Sequence, residues 1–153
     1  MRVHILPRPR DWREAGRFIA NALLLSHGVR RDAEAFVGLE GGWLRARGDR
    51  VRHLRPDEES LRGWLAAAVR GSRVGAEVVP QPPYSQAICV GPEGEEPLSV
   101  LRRYPPVLSY GEGLECLARA RIALPPVYAV IVANVLMDNL EDNRVGGDPL
   151  SGL

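Results

Sequence analysis

Between positions 26 and 32 the chain places Ser26, His27, Arg30, Arg31 and Asp32 within seven residues. An imidazole and a carboxylate can hold or move a proton near neutral pH. Two guanidiniums present planar forks that suit phosphate. These types allow a site that binds an anion and handles a proton. They equally allow a solvated loop with one internal ion pair. Ser26 beside His27 invites a nucleophile–base reading, but no Gly-x-Ser-x-Gly elbow surrounds the serine, so hydrolase chemistry is set aside. His4 and His53 stand alone and read as structural.

A second place where chemistry is conceivable is Gly111-Glu112-Gly113, which follows a short apolar run. Glycines there let backbone amides approach a nucleotide-like ligand closely, although a simple turn has the same composition. The third glycine and the distal acid of a dinucleotide fingerprint are missing. All 20 basic residues are arginine, so a P-loop with its lysine is excluded. Cys89 and Cys116 have neither CxxC spacing nor neighbouring histidines. They are expected to be free thiols of a cytoplasmic protein, and no metal site is expected. The start of the chain is too short and polar for a signal peptide, and the most apolar run, 127–136, has about half the length of a membrane span. No membrane partner is expected.

The elements that must position these residues follow from pattern and punctuation. Strands are expected at 2–6, 33–39, 43–47, 51–54, 76–79, 87–90, 107–109 and 121–124, with an extended piece at 98–101. Helices are expected at 12–26, from about 57 to 70, at 114–120 and at 127–140. Asp11 and Glu14 open the first in a capping-box pattern, and Gly28 is expected to stop it as a left-handed cap. The tail from 141 is expected to fray. Strands alternating with helices indicate a single α/β domain with a largely parallel sheet. Charge divides the chain. Residues 1–75 hold 15 Arg against 9 acids, a net of +6, and residues 76–153 hold 5 Arg against 10 acids, a net of −5. The basic half suits an anionic partner such as RNA, though scattered surface arginines would give the same count.

The stretch LLLSHGVRRDAEAFVGL (23–39) resembles the signature of the archaeal tRNA pseudouridine N1-methyltransferases of the SPOUT superfamily. VRHLRPDEESLRGWLAAAVR (51–70) and ARIALPPVYAVIVANVLMD (120–138) resemble further blocks of that family, in the same order. The resemblance implies one SPOUT-type domain over 1–153, with helices on both faces of the sheet and a deep C-terminal trefoil knot. It implies an RNA-facing half at about 1–75 and a cofactor-binding knot at about 105–140. The implied activity is methyl transfer from S-adenosylmethionine to N1 of the pseudouridine at position 54 in the tRNA T-loop, by a cytoplasmic homodimer joined through the knot. Asp32 and His27 would then be catalytic, with Ser26, Arg30, Arg31, Arg45 and Arg47 on the RNA. Tyr110, Gly111, Gly113, Leu124, Pro125, Val127 and Val130 match the cofactor side. The family's Gly-Asp-His-x-Gly loop is here Ser-Tyr-Gly-Glu-Gly, and its His-Ala-Asn-His-Cys stretch shrinks to Val127-Tyr128-Ala129. Cofactor binding through backbone contacts and a catalytically degenerate RNA-binding protein both remain open. So does a small α/β protein of unrelated role.

Overall fold

The structure, a computed structural model, describes residues 1–145. Nine strands and four helices follow in the order β1 (Arg2–Leu6), α1 (Trp12–Leu23), β2 (Leu24–Leu25), β3 (Gly28–Val29), β4 (Ala33–Leu39), β5 (Gly42–Arg47), α2 (Glu58–Val69), β6 (Ala76–Val79), β7 (Gln86–Gly91), α3 (Pro97–Arg103), β8 (Val107–Tyr110), β9 (Glu115–Arg121) and α4 (Pro126–Val145). Seven of the strands form one sheet in the order β6-β5-β4-β1-β8-β7-β9. Only β5 runs against the others, since both its pairings are antiparallel and the remaining four are parallel.

The connections explain where the helices lie. The steps β1→β4 and β7→β8 cross the sheet in the same direction, so right-handed crossovers put α1 and α3 on the same face. α2 and α4 join them, and one core holds Phe18 and Ile19 of α1, Leu61 and Trp64 of α2, Val100 of α3, and Val130 and Ala133 of α4. Helices on both faces, as the resemblance implied, are therefore not found. The other face carries Val3, Ile5 and Phe36, covered by chain without helix: Trp43, Val79, Tyr84 and Leu114 pack there. Tyr84, from the segment leading across from β6 to β7, meets the Phe36 ring edge-on at 6.1 Å.

Several elements differ from the sequence expectation for identifiable reasons. The run ECLARAR alternates exposed and covered residues, the period of a strand, and forms β9 instead of a helix at 114–120. Of the strand expected at 121–124, Arg121 ends β9 and residues 122–124 belong to the link into α4. Glu96 caps Pro97–Arg103 by accepting from the amides of Leu98 and Ser99, so the 98–101 piece is helical. Residues 51–54 form no strand, because β6 occupies the free edge of β5. α1 ends at Leu23, not 26, and the chain reverses in a two-strand hairpin. Gly28 sits in β3 without a positive φ and is not the helix cap. α4 runs on through Val145, past the expected frayed start at 141; the rest of that tail lies outside the described residues.

The cysteines also require correction. Cys89 of β7 and Cys116 of β9 lie on neighbouring parallel strands with Cα atoms 5.4 Å apart, and are joined by a disulfide. Linear spacing could not show this, because the pairing of β7 with β9 comes from the sheet order. The expected free thiols were the ground for a cytoplasmic location, and that ground falls with them. No described helix is long and apolar enough to cross a membrane.

Candidate functional site

The residues of the 26–32 joint take very different positions. Ser26 and His27 form the exposed tip of the β2–β3 hairpin. The Arg30 amide donates to Leu23 O at 2.6 Å, and its guanidinium donates to Asp138 of α4 at 2.7 Å. Arg31 and Asp32 are exposed, and the Asp32 carboxylate lies 3.8 Å from the buried Arg2 guanidinium. The joint divides between two clefts. Ser26 and Arg30 line one of about 510 Å³ with Asn21, Leu24, Ile131 and Val135. Arg31 lines another of about 710 Å³ with Arg47, Arg50 and Arg73.

Beneath the joint lies a polar network that sequence inspection did not anticipate. Asn134 of α4 donates through Nδ2 to the carbonyls of Asn21 and Ala22, at 3.3 and 3.1 Å. Its Oδ1 therefore accepts, from Arg2 at 3.2 Å and from His4 Nε2 at 3.0 Å. That assigns the ring proton of His4 to Nε2, and Tyr110 Oη donates to the bare Nδ1 at 2.8 Å. Burial lowers the His4 pKa to about 3, with Arg2 and Arg30 adding to the effect against the Asn134 bond, so the ring is neutral. Burial likewise pushes the Tyr110 hydroxyl up. Asp138 is opposed by burial, but the hydrogen bonds and charges of Arg30 and Arg2 outweigh it and hold its carboxyl low. Arg2, Asp138 and Glu141, with 2.9 and 3.0 Å contacts, fasten β1 to α4.

Arg45 and Arg47 first serve the sheet. Glu34, 2% exposed on the helix-free face, is paired by Arg45, while Arg47 approaches it at 3.9 Å and Asp49 at 3.3 Å. Arg45 also faces Glu77 at 3.7 Å. Its guanidinium is therefore shared between two carboxylates.

At the carboxyl ends of the strands the cofactor-side candidates gather around one geometry. The connection from β1 leaves on the helix face towards β4, whereas that from β8 leaves on the other face towards β9. Adjacent strands whose connections part in this way mark a topological switch point, the usual place for a ligand in an open α/β sheet; here Gly113 and Pro7 close on each other across it. Loop 111–114 lies on one side. Gly111 and Gly113 have φ of +113° and +153°, and a Cβ on Gly113 would stand 2.9 Å from Pro7 Cβ, on the other side. Only glycine fits there. The Tyr110 side chain is committed to the core, and Val127 and Val130 are buried as well, so these three offer a ligand only backbone. Leu124 is exposed and Pro125 leads into α4. Residues 91–96 bring Gly94 (φ +140°) to the same edge.

The two candidate regions do not meet within one chain. Pairing sets Arg2 beside Ala33 and Leu6 beside Val37, with Ile5 beside Ser109. Asp32 is thus at the amino end of the strands and Gly111 beyond the carboxyl end, about 20 Å apart along the strands before lateral spacing is added.

These features define an α/β protein with a mostly parallel sheet, a topological switch point between β1 and β8, and a basic edge at the amino ends of its parallel strands. No protein-family model matches the chain, and no curated protein matches it significantly. Among the described residues no group of three or more His, Cys, Asp or Glu could hold a metal ion.

Proposed function

We propose that the chain is an S-adenosylmethionine-dependent RNA methyltransferase of the SPOUT type, methylating N1 of a pseudouridine in the tRNA T-loop as a homodimer. Residues 105–140 would form the trefoil knot. The observation that carries the reading is the switch point between β1 and β8, where the glycine loop closes against Pro7. Side-chain-free backbone at a switch point suits a nucleoside cofactor held by amides and carbonyls. Gly111 and Gly113 would hold it with the backbone of 124–127, and the cofactor supplies an already activated methyl group. The chain then has to bind the RNA, align the target nitrogen and take its proton. Asp32 would accept the proton or orient the base, with His27 second, while Ser26, Arg30 and Arg31 would contact the splayed nucleotide.

Because Asp32 and the glycine loop stand at opposite ends of the sheet, this chemistry requires two copies, with Asp32 of one facing the switch point of the other. α4 supports such a pairing. Its amino-terminal half carries apolar residues towards the core and towards solvent: Val130 and Ala133 face the core, while Tyr128, Ile131 and Val135 are 53, 41 and 50% exposed. A contiguous exposed apolar patch ordinarily marks a contact surface. Work on tRNA in the cytoplasm would place the Cys89–Cys116 bond in a reducing compartment, where such bonds persist mainly in hyperthermophiles.

Calorimetry with S-adenosylmethionine, followed by label transfer to a pseudouridine-containing T-loop hairpin, tests the proposal. Saturable binding and transfer that Asp32→Asn strongly reduces are expected. Absence of cofactor binding would overturn it and leave an RNA-binding protein without catalysis, a reading favoured by the separation of Asp32 from the loop.

A further inference from the structure

The cleft beside the carboxyl end of β5 and the amino end of β6 collects arginines from four separate segments: Arg31 before β4, Arg47 at the end of β5, Arg50 and Arg52 in the following turn, and Arg73 after α2. Among the described residues, Arg31, Arg50, Arg52 and Arg73 have no ion pair and no side-chain hydrogen bond, and all four are exposed. Arg47 is anchored by Asp49, yet its Nε is buried without a hydrogen-bond partner. Like charges gathered round one concavity repel one another. The buried Arg47 Nε faces Glu34 Oε1 at 3.9 Å, so the Arg47 charge is partly met from the sheet. Nothing in the fold requires this gathering, since Glu34 is already served by Arg45 and Arg47.

We propose that this cleft, of about 710 Å³, binds consecutive phosphates of an RNA backbone, with Arg47 at its base and Arg31, Arg50, Arg52 and Arg73 around its rim. No aromatic residue lines it, so it offers bases no stacking platform. Contacts of this kind position a nucleic acid without reading its sequence. The cleft therefore accounts for register and affinity, and selection of the nucleotide is left to other residues. The inference shares its RNA partner with the proposed function but not its cofactor. Arg45, shared between Glu34 and Glu77, lies outside the phosphate set.

The test is fluorescence anisotropy of the full chain with labelled single-stranded RNA of two unrelated sequences, over a range of salt, without S-adenosylmethionine. Arg50→Ala/Arg73→Ala should lower the slope of log affinity against log salt by about 1.4, at about 0.7 per lost phosphate contact. Arg17→Ala/Arg102→Ala, which removes the same charge elsewhere, should leave the slope in place, and both sequences should bind alike. Equal slopes for the two double variants would overturn the inference. So would inorganic triphosphate displacing RNA at concentrations matching the RNA's own phosphate, which would assign the cleft to a small polyphosphate. RNA binding that follows these rules in a chain that takes up no S-adenosylmethionine refutes the methyltransferase reading alone. Cofactor uptake with unaltered slopes refutes the cleft alone.

Discussion

His4 makes the fold sensitive to pH in a window where most of the molecule is not. Its ring is wholly buried, donates to Asn134 and accepts from Tyr110, and its pKa falls to about 3 from an ordinary value of 6.5. The folded ring thus binds no proton between these values, whereas the unfolded ring does. Stability is complete above pH 6.5 and declines as pH falls towards 3, by up to about 1.4 kcal/mol per pH unit. From pH 7 to pH 5 the loss attributable to His4 is about 2 kcal/mol. Urea unfolding with an m of about 2 kcal/mol/M would show this as a midpoint shift of about 1 M. His4→Gln retains a donor for Asn134 and cannot titrate. Its midpoint should be lower at pH 7 but should move much less between pH 7 and 5. Subtracting the variant's pH profile from the wild type's removes the carboxylates common to both. Parallel profiles for the two proteins would refute the neutral, buried state of the ring.

Three other outcomes follow from the same contacts. Replacing Cys89 and Cys116 by serine opens a loop with a separation of 27 residues, which should cost about 3.5 kcal/mol and lower Tm by roughly 10 °C. No thiol should react in denaturant before reductant is added, and early labelling would exclude the bond. Glu34→Ala strips Arg45 and Arg47 of their buried carboxylate and should cost roughly 2–4 kcal/mol, solvent absorbing part of the loss at the half-exposed arginines; an unchanged urea midpoint would show that the pair is incidental. Sedimentation should give a dimer for the wild type and a monomer for Ile131→Asp/Val135→Asp, and a monomeric wild type would refute pairing through α4.

Local signals carried the reading of the sequence as far as local physics reaches. Asp11, Asp57 and Glu96 each cap a helix through side-chain acceptance from amides one turn on, and the first two were legible as acids ahead of apolar periodicity. The alternation of ECLARAR was equally available, but its alanines and arginines also favour helix, and only pairing with β7 decides for strand. Non-local facts were out of reach. Nothing near Cys89 announces Cys116, and His4 gains meaning only beside Tyr110 and Asn134, more than a hundred residues away. For the site, residue types at the joint were readable. That Arg30 would serve Asp138 while Arg31 turned to a different cleft depends on a hairpin too short to leave a pattern.

The direction of the strands then constrains what one copy can do. Parallel strands put every carboxyl end on one edge and every amino end on the other. The switch point with its glycine loop belongs to the first edge, and Asp32 with the unpaired arginines belongs to the second. Loop movement of a few ångströms does not bridge a separation of about 20 Å along the sheet. On the proposed reading, a single chain with this topology would hold an anion at one edge and a small ligand at the other without bringing them into reaction. Group transfer between them depends on a second copy turned to present its amino edge to the first copy's switch point. Loss of the dimer should therefore abolish any transfer while leaving the binding of each ligand intact, a separation that a site contained within one chain would not produce.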